Sequence, residues 1–162
     1  MPDVVSNTGP LIALAGIRQF DLLHELFHRI LIPPAVQLEV LDETTLKAIT
    51  AADWITVQGV QDTIAVQLLQ EDLGAGESEA IVLARELDAG LLLIDERTAR
   101  RKAHTLGLSV VGTLGVLLIA KEKGLIAAIQ PLLDELRRAG FRMSDDLYFQ
   151  VLRHADEVIK GQ

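Results

Sequence analysis

The sequence contains no cysteine, which excludes disulfides, thiolate metal sites and cysteine nucleophiles. Aromatic residues are scarce at 4%, with a single Trp and a single Tyr, so binding by aromatic stacking has little support. Positive charge is in short supply. The 15 Lys and Arg face 23 Asp and Glu, a formal net charge of −8. That balance argues against a broad electrostatic surface for nucleic acid, while a local basic patch is still open to the chain. No apolar run approaches the roughly 18–20 residues of a membrane span, and the longest, Val110–Ala120, is broken by Gly112 and Gly115. The start MPDVVSNTGP lacks a basic segment followed by an apolar core; the expectation is a cytoplasmic protein without a signal peptide. No GxGxxG follows the first apolar segment, which argues against a dinucleotide-binding fold.

Within 162 residues, 49% of them apolar, the expectation is one domain over residues 1–162 with a sizeable core. Its most informative stretch is GLLLIDERTARR, Gly90–Arg101. Leu91–Ile94 is short and wholly apolar, as expected of a strand buried on both faces of a parallel sheet. Similar short runs occur at Val4–Ser6, Ile30–Ile32, Trp54–Val57 (an edge strand) and Ser109–Val111.

Helical stripes fall between these runs. Thr8 is placed to cap a helix with Leu11, Ile12 and Leu14, with Pro10 in its first turn. Phe20–Phe27 gives a second helix, and Pro34 opens a third that runs through Leu41. Ile64, Leu68 and Leu69 mark another before the GAGES turn, a basic helix follows Asp95, and one more spans Thr113–Lys123. Two amphipathic helices, Ile129–Ala139 and Asp145–Val158, occupy about residues 126–160 without an intervening strand. Such alternation implies right-handed crossovers and a three-layer α/β/α sandwich with a four- to five-stranded parallel sheet.

The polar residues of interest fall at the carboxyl ends of the strands, where open α/β sheets bind ligands. Asn7 follows the first strand, Asp95 and Glu96 follow the central one, and Thr113 follows the last. Glu39, Glu77 and Glu79 lie on helices that can lean over the same rim. Oxygen donors without His or Cys suit Mg²⁺ or Mn²⁺. Glu77 and Glu79 project about 200° apart on a helix, and spacing does not say which faces the rim. Each residue also has an ordinary reading: a first-turn Glu caps a helix, an acid after a strand is an N-cap, and Asn7 is a turn residue. Arg97, Arg100 and Arg101 form one face of the basic helix, either a phosphate-contacting patch or a solvated surface. The histidines His24, His28, His104 and His154 are scattered over helices, and none suggests a general base.

The ordered segments VVSNTGPLIALA, ILIPPAVQLEVL, GAGESEAIVLA, LLLIDERTARRKA, VVGTLGVLLIAKEKGLI and LLDELRRAGFRMSDDLYFQVL together resemble the PIN domain family. The likeness is greatest to the small stand-alone prokaryotic PIN-like proteins. The resemblance implies a parallel-sheet α/β/α fold whose acidic ring binds Mg²⁺ or Mn²⁺ and hydrolyses RNA phosphodiesters. It places the ring on Asn7, Glu39, Glu79 (with Glu77 as competitor) and Asp95, accompanied by Thr113. Asn stands where the family pattern has an acid, which removes one negative charge from the ring. The implied partners are RNA, a homodimeric second copy and, for a toxin of a toxin–antitoxin pair, a cognate antitoxin protein. The alternative is a PIN-fold protein that binds nucleic acid or a partner with weak or no cleavage. A receiver-type or phosphatase-like domain also places acids at strand ends, but it needs paired acids after the first strand, where only Asn7 stands.

Overall fold

A computed structural model describes residues 2–157 of the chain. Along them run β1 (Val4–Ser6), α1 (Thr8–Gly16), α2 (Asp21–Phe27), β2 (Ile30–Ile32), α3 (Pro34–Glu39), α4 (Glu43–Ala51), β3 (Ile55–Val57), α5 (Thr63–Leu69), α6 (Ala75–Glu86), β4 (Leu91–Leu93), α7 (Arg97–Thr105), β5 (Val110–Val111), α8 (Thr113–Glu122), α9 (Gln130–Arg138) and α10 (Asp145–His154). The strands form one five-stranded sheet in the order β3-β2-β1-β4-β5, and every pairing is parallel.

Successive strand residues point to opposite faces, and both faces are covered. Val4, Ile30, Ile32 and Leu93 join a core with α1, α2, α8, α9 and α10. Val5, Leu31, Leu92 and Ile94 join a second core with α6 and α7. The strands β1, β2 and β4 therefore have no solvent-facing side, which is why they read as continuous apolar runs, whereas the edge strand β3 exposes Thr56 and Val57. These helices make the outer layers of the three-layer sandwich. Among the described residues no helix is long and apolar enough to cross a membrane.

The chain winds from β1 outward through β2 to the edge strand β3. It then returns past β1 to lay down β4 and β5. The direction of winding switches between β1 and β4, and ligands of open α/β sheets bind outside the carboxyl ends at such a point. The register Val4↔Leu91, Val5↔Leu92, Ser6↔Leu93 brings Asn7 and Ile94–Asp95 side by side beyond that edge.

Several boundaries differ from the sequence reading. Asn7, not Thr8, occupies the N-cap position of α1, and the Thr8 hydroxyl is directed to Glu39 instead. The third helix ends at Glu39, with extended backbone at Val40, rather than continuing through Leu41. Helix α4 has no counterpart in the sequence reading, because its residues carry no broad apolar stripe and only Thr45 is buried. Its signal is local: the Asp42 carboxylate accepts from the backbone N–H and hydroxyl of Thr45, a helix N-cap. Ile64 and Leu68 of α5 are 69% and 64% exposed, so they mark a helix but not a core stripe. The last helix ends at His154, and residues 158–160 of the expected C-terminal region lie outside the described residues.

Candidate functional site

Asp95 is held firmly at the switch point. Its carboxylate accepts the backbone N–H of Thr113 at 2.6 Å and the Thr113 hydroxyl at 2.7 Å. Those contacts place its negative charge on the N-terminus of α8, where the helix dipole favours an anion. Thr113 is completely buried and serves to hold Asp95. The next acid, Glu96, is the residue that caps α7, accepting from the amides of Thr98 and Ala99. Backbone hydrogen bonds from Thr98, against a smaller cost of burial, keep its carboxyl below the usual range.

Two glycines make room for Asp95. A Cβ on Gly9 would lie 3.2 Å from Asp95 Oδ2, and one on Gly112 would lie 2.7 Å from Asp95 Oδ1 and 3.0 Å from the Arg100 guanidinium. Asp95 and Arg100 thus lean against the same bare backbone.

Asn7 lies at the end of β1. Its backbone N–H bonds the Leu93 carbonyl at 2.8 Å, fixing it against β4. The residue is 6% exposed, and Oδ1 is buried without a hydrogen-bond partner. Buried acceptors in that condition are uncommon.

The four glutamates divide. Glu77, Glu96, Asn7 and Asp95 line one cleft of about 1200 Å³. Burial pushes the Glu77 carboxyl up; the Gly74 amide opposes this, and the charges of Glu96 and Glu39 add to it. A cation beside Glu77 would reverse that balance. Glu39 and Glu79 are engaged elsewhere. Glu39, at the end of α3, accepts from the Gly76 amide in the first turn of α6 and from the Thr8 hydroxyl, both at 2.8 Å. Glu79, in α6, accepts from the Ala35 amide in the first turn of α3 at 3.0 Å. The two helices exchange carboxylates, each capping the other's N-terminus. Glu79 does not line the cleft.

Of the basic face, Arg97 and Arg100 line the cleft and Arg101 does not. The cleft also takes residues that the sequence reading did not single out for a site: Phe141, Arg142 and Gln150, together with His154, read there as a scattered histidine. Nothing in their local sequence signals this, since they reach the cleft only through the packing of α10 on α8.

The donor set is all oxygen. Among the described residues no three acidic or histidine side chains converge closely enough to enclose a metal ion by themselves. Mg²⁺ does not require such a cage, because it keeps several waters and uses one or two carboxylates beside substrate phosphates. The unpartnered Asn7 oxygen beside Asp95, in a cleft that also holds Glu77, fits a hard cation of that kind.

A search of curated proteins finds no match to the chain. A family model described as a PIN domain matches residues 3–157, a span that takes in the whole sheet and every residue of the cleft. With the parallel five-stranded sandwich and polar residues gathered at its switch point, that match settles the family: the chain belongs to the PIN domain family, a fold of nucleases and nucleic-acid-binding proteins.

Proposed function

We propose that the protein is a metal-dependent endoribonuclease that hydrolyses RNA phosphodiester bonds at the β1–β4 cleft. The observation that carries this reading is Asn7, whose Oδ1 is buried without a hydrogen-bond partner and which lines one cleft together with Asp95 and Glu77. Asp95, Glu77 and Asn7 would hold Mg²⁺ or Mn²⁺, with the charge of Glu39 behind Glu77. In this reading Glu79 is a positioning residue that fixes α3 through Ala35. When bound, the ion supplies a water of lowered pKa and neutralises charge on the phosphate. Thr113 keeps the Asp95 carboxylate oriented. Arg97 and Arg100 offer guanidinium groups to phosphate oxygens, for which the planar fork is well matched.

The same activity would make the chain the toxin of a toxin–antitoxin pair with a cognate antitoxin protein, a role that ends if expressing the chain leaves growth unchanged. A homodimer is part of the proposal. It is supported by Leu38, Leu41, Ile64 and Leu68, which are 64–84% exposed on or just beyond α3 and α5, helices that both pack on α6. Light scattering is expected to give a dimer mass at tens of micromolar protein, and a monomer mass there removes it.

A second reading, binding of nucleic acid or a partner with weak or no cleavage, is favoured by Asn7 in place of an acid. Cleavage of RNA across a Mn²⁺ titration, with EDTA as control, decides between the two. Restoring the acid sharpens the test. Asn7→Asp adds charge at a buried position beside Asp95, where Coulomb terms exceed their value in water. It is expected to bind Mn²⁺ more tightly, cleave at least as fast, and melt earlier in EDTA. Weaker metal binding with unchanged melting would place Asn7 outside the site.

A further inference from the structure

The cleft is longer than the acidic site needs. From Asn7, Glu77 and Asp95 it continues past β5 to a far wall made by the α9–α10 connection and α10. Arg142 and His154 are exposed on that wall and line the same cleft as Arg97 and Arg100 of α7. Among the described residues none of the four takes part in an ion pair; the basic side chains that do are Arg29, Lys47, Lys102, Lys121 and Arg137. The carboxylates of the cleft, Glu77, Asp95 and Glu96, come from α6 and the β4–α7 junction. Among the residues that line the far wall, Phe141, Arg142, Leu147, Gln150, Val151 and His154, none is acidic. In a chain of net charge −8, Arg142 therefore sets the sign of that wall. The cleft is also lined by apolar side chains, Leu114, Leu118 and the half-buried Phe141.

We propose that this far wall is a track for single-stranded RNA leading away from the scissile phosphate, with Arg142 and His154 on backbone phosphates and Phe141 under a base. The inference rests on the reading of the cleft as a ribonuclease site. Cationic walls with an apolar or aromatic floor are how single strands are held without a sequence code. Contacts remote from the reacting phosphate also convert binding energy into positioning at the reacting centre.

The test measures binding separately from cleavage. A fluorescently labelled oligouridylate is titrated with protein in EDTA, by anisotropy, over a series of salt concentrations. Arg142→Ala is expected to weaken binding roughly tenfold and to lower the slope of log affinity against log salt by about 0.7, one phosphate contact on a single strand. Arg142→Lys should restore the slope. Arg153→Ala removes a charge from α10, next to His154 but outside the cleft lining, and should leave both quantities near wild type. Melting curves verify that each variant folds.

If Arg142→Ala and Arg153→Ala bind alike, with the same slope, the track is overturned even where the wild type cleaves RNA. If no protein cleaves RNA but binding depends on Arg142, hydrolysis is overturned and the track stands. If the wild type binds no RNA at any salt, for example because the wall receives a peptide, the track is overturned as well.

Discussion

Asp95→Asn is expected to reduce RNA cleavage by at least about a hundredfold, the loss of several kcal/mol of charge stabilisation, and to remove most Mn²⁺ binding. The fold should survive it. An amide at this position still accepts the Thr113 N–H through its oxygen. Its nitrogen faces the Thr113 hydroxyl, which then accepts instead of donating. The cost is the anion at the N-terminus of α8, about 0.3–1 kcal/mol. Calorimetry with Mn²⁺ and a melting curve read the two effects separately, and identical metal binding by wild type and variant would place the site elsewhere. A companion variant moves the carboxylate without deleting it. Gly112 has φ −95° and ψ −177°, open to any residue, so Gly112→Ala adds only a Cβ crowding Asp95 and Arg100. Cleavage should fall roughly ten- to a hundredfold, the scale for a small misplacement of reacting groups, with melting little changed.

Glu157→Ala is expected to destabilise the protein by about 3 kcal/mol, lowering the melting temperature by roughly 8 °C. Glu157 follows α10, and its carboxylate, 12% exposed, accepts from the amides of Ile129 and Gln130 and pairs with Lys121 at 2.9 Å. It ties the end of α10 to the last turn of α8 and the start of α9. Truncation leaves two amides and a three-quarters-buried ammonium without their partner. Burial pushes the Glu157 carboxyl up, but the Ile129 amide, Lys121 and the Gln130 amide outweigh it and hold the pKa below the usual value. Because the folded value is depressed, this stabilisation is fully present above the ordinary glutamate pKa of about 4.3 and is lost as pH falls through the folded value. The difference in stability between wild type and Glu157→Gln should therefore shrink as pH falls below about 4. Equal melting of wild type and Glu157→Ala at neutral pH would show that the clamp contributes nothing.

Much of the fold was legible before any coordinates. A strand buried on both faces has to be apolar throughout, so β1, β2 and β4 announced themselves, and strands separated by helices required parallel crossovers. Helix α4 was not legible, because only Thr45 is fully buried and the helix packs on α1 through the half-buried Ala48 and Ile49 rather than through a broad apolar stripe. The candidate site was readable to the extent that its residues abut strand ends. Asn7 and Asp95 could be placed from their positions after apolar runs. Glu77 and Glu79 could not be told apart, because both occupy flanks of the same stripe and only packing against α3 decides which carboxylate is drawn to Ala35. The roles of Glu39 as a cap for α6 and of Arg142 and His154 on the cleft wall had no local signature at all.

The sequence by itself determined the layered parallel sheet, the placement of polar residues at its carboxyl edge and the family to which the chain belongs. These follow from short-range pattern: hydrophobic period, turn residues and ordered motifs. Tertiary structure alone decided which acids share a cleft, which are consumed as helix caps, and which distant cations face them. A carboxylate's role depends on the amides and charges within a few ångströms of it, and residues far apart in sequence supply those only after the crossovers and the last two helices have packed.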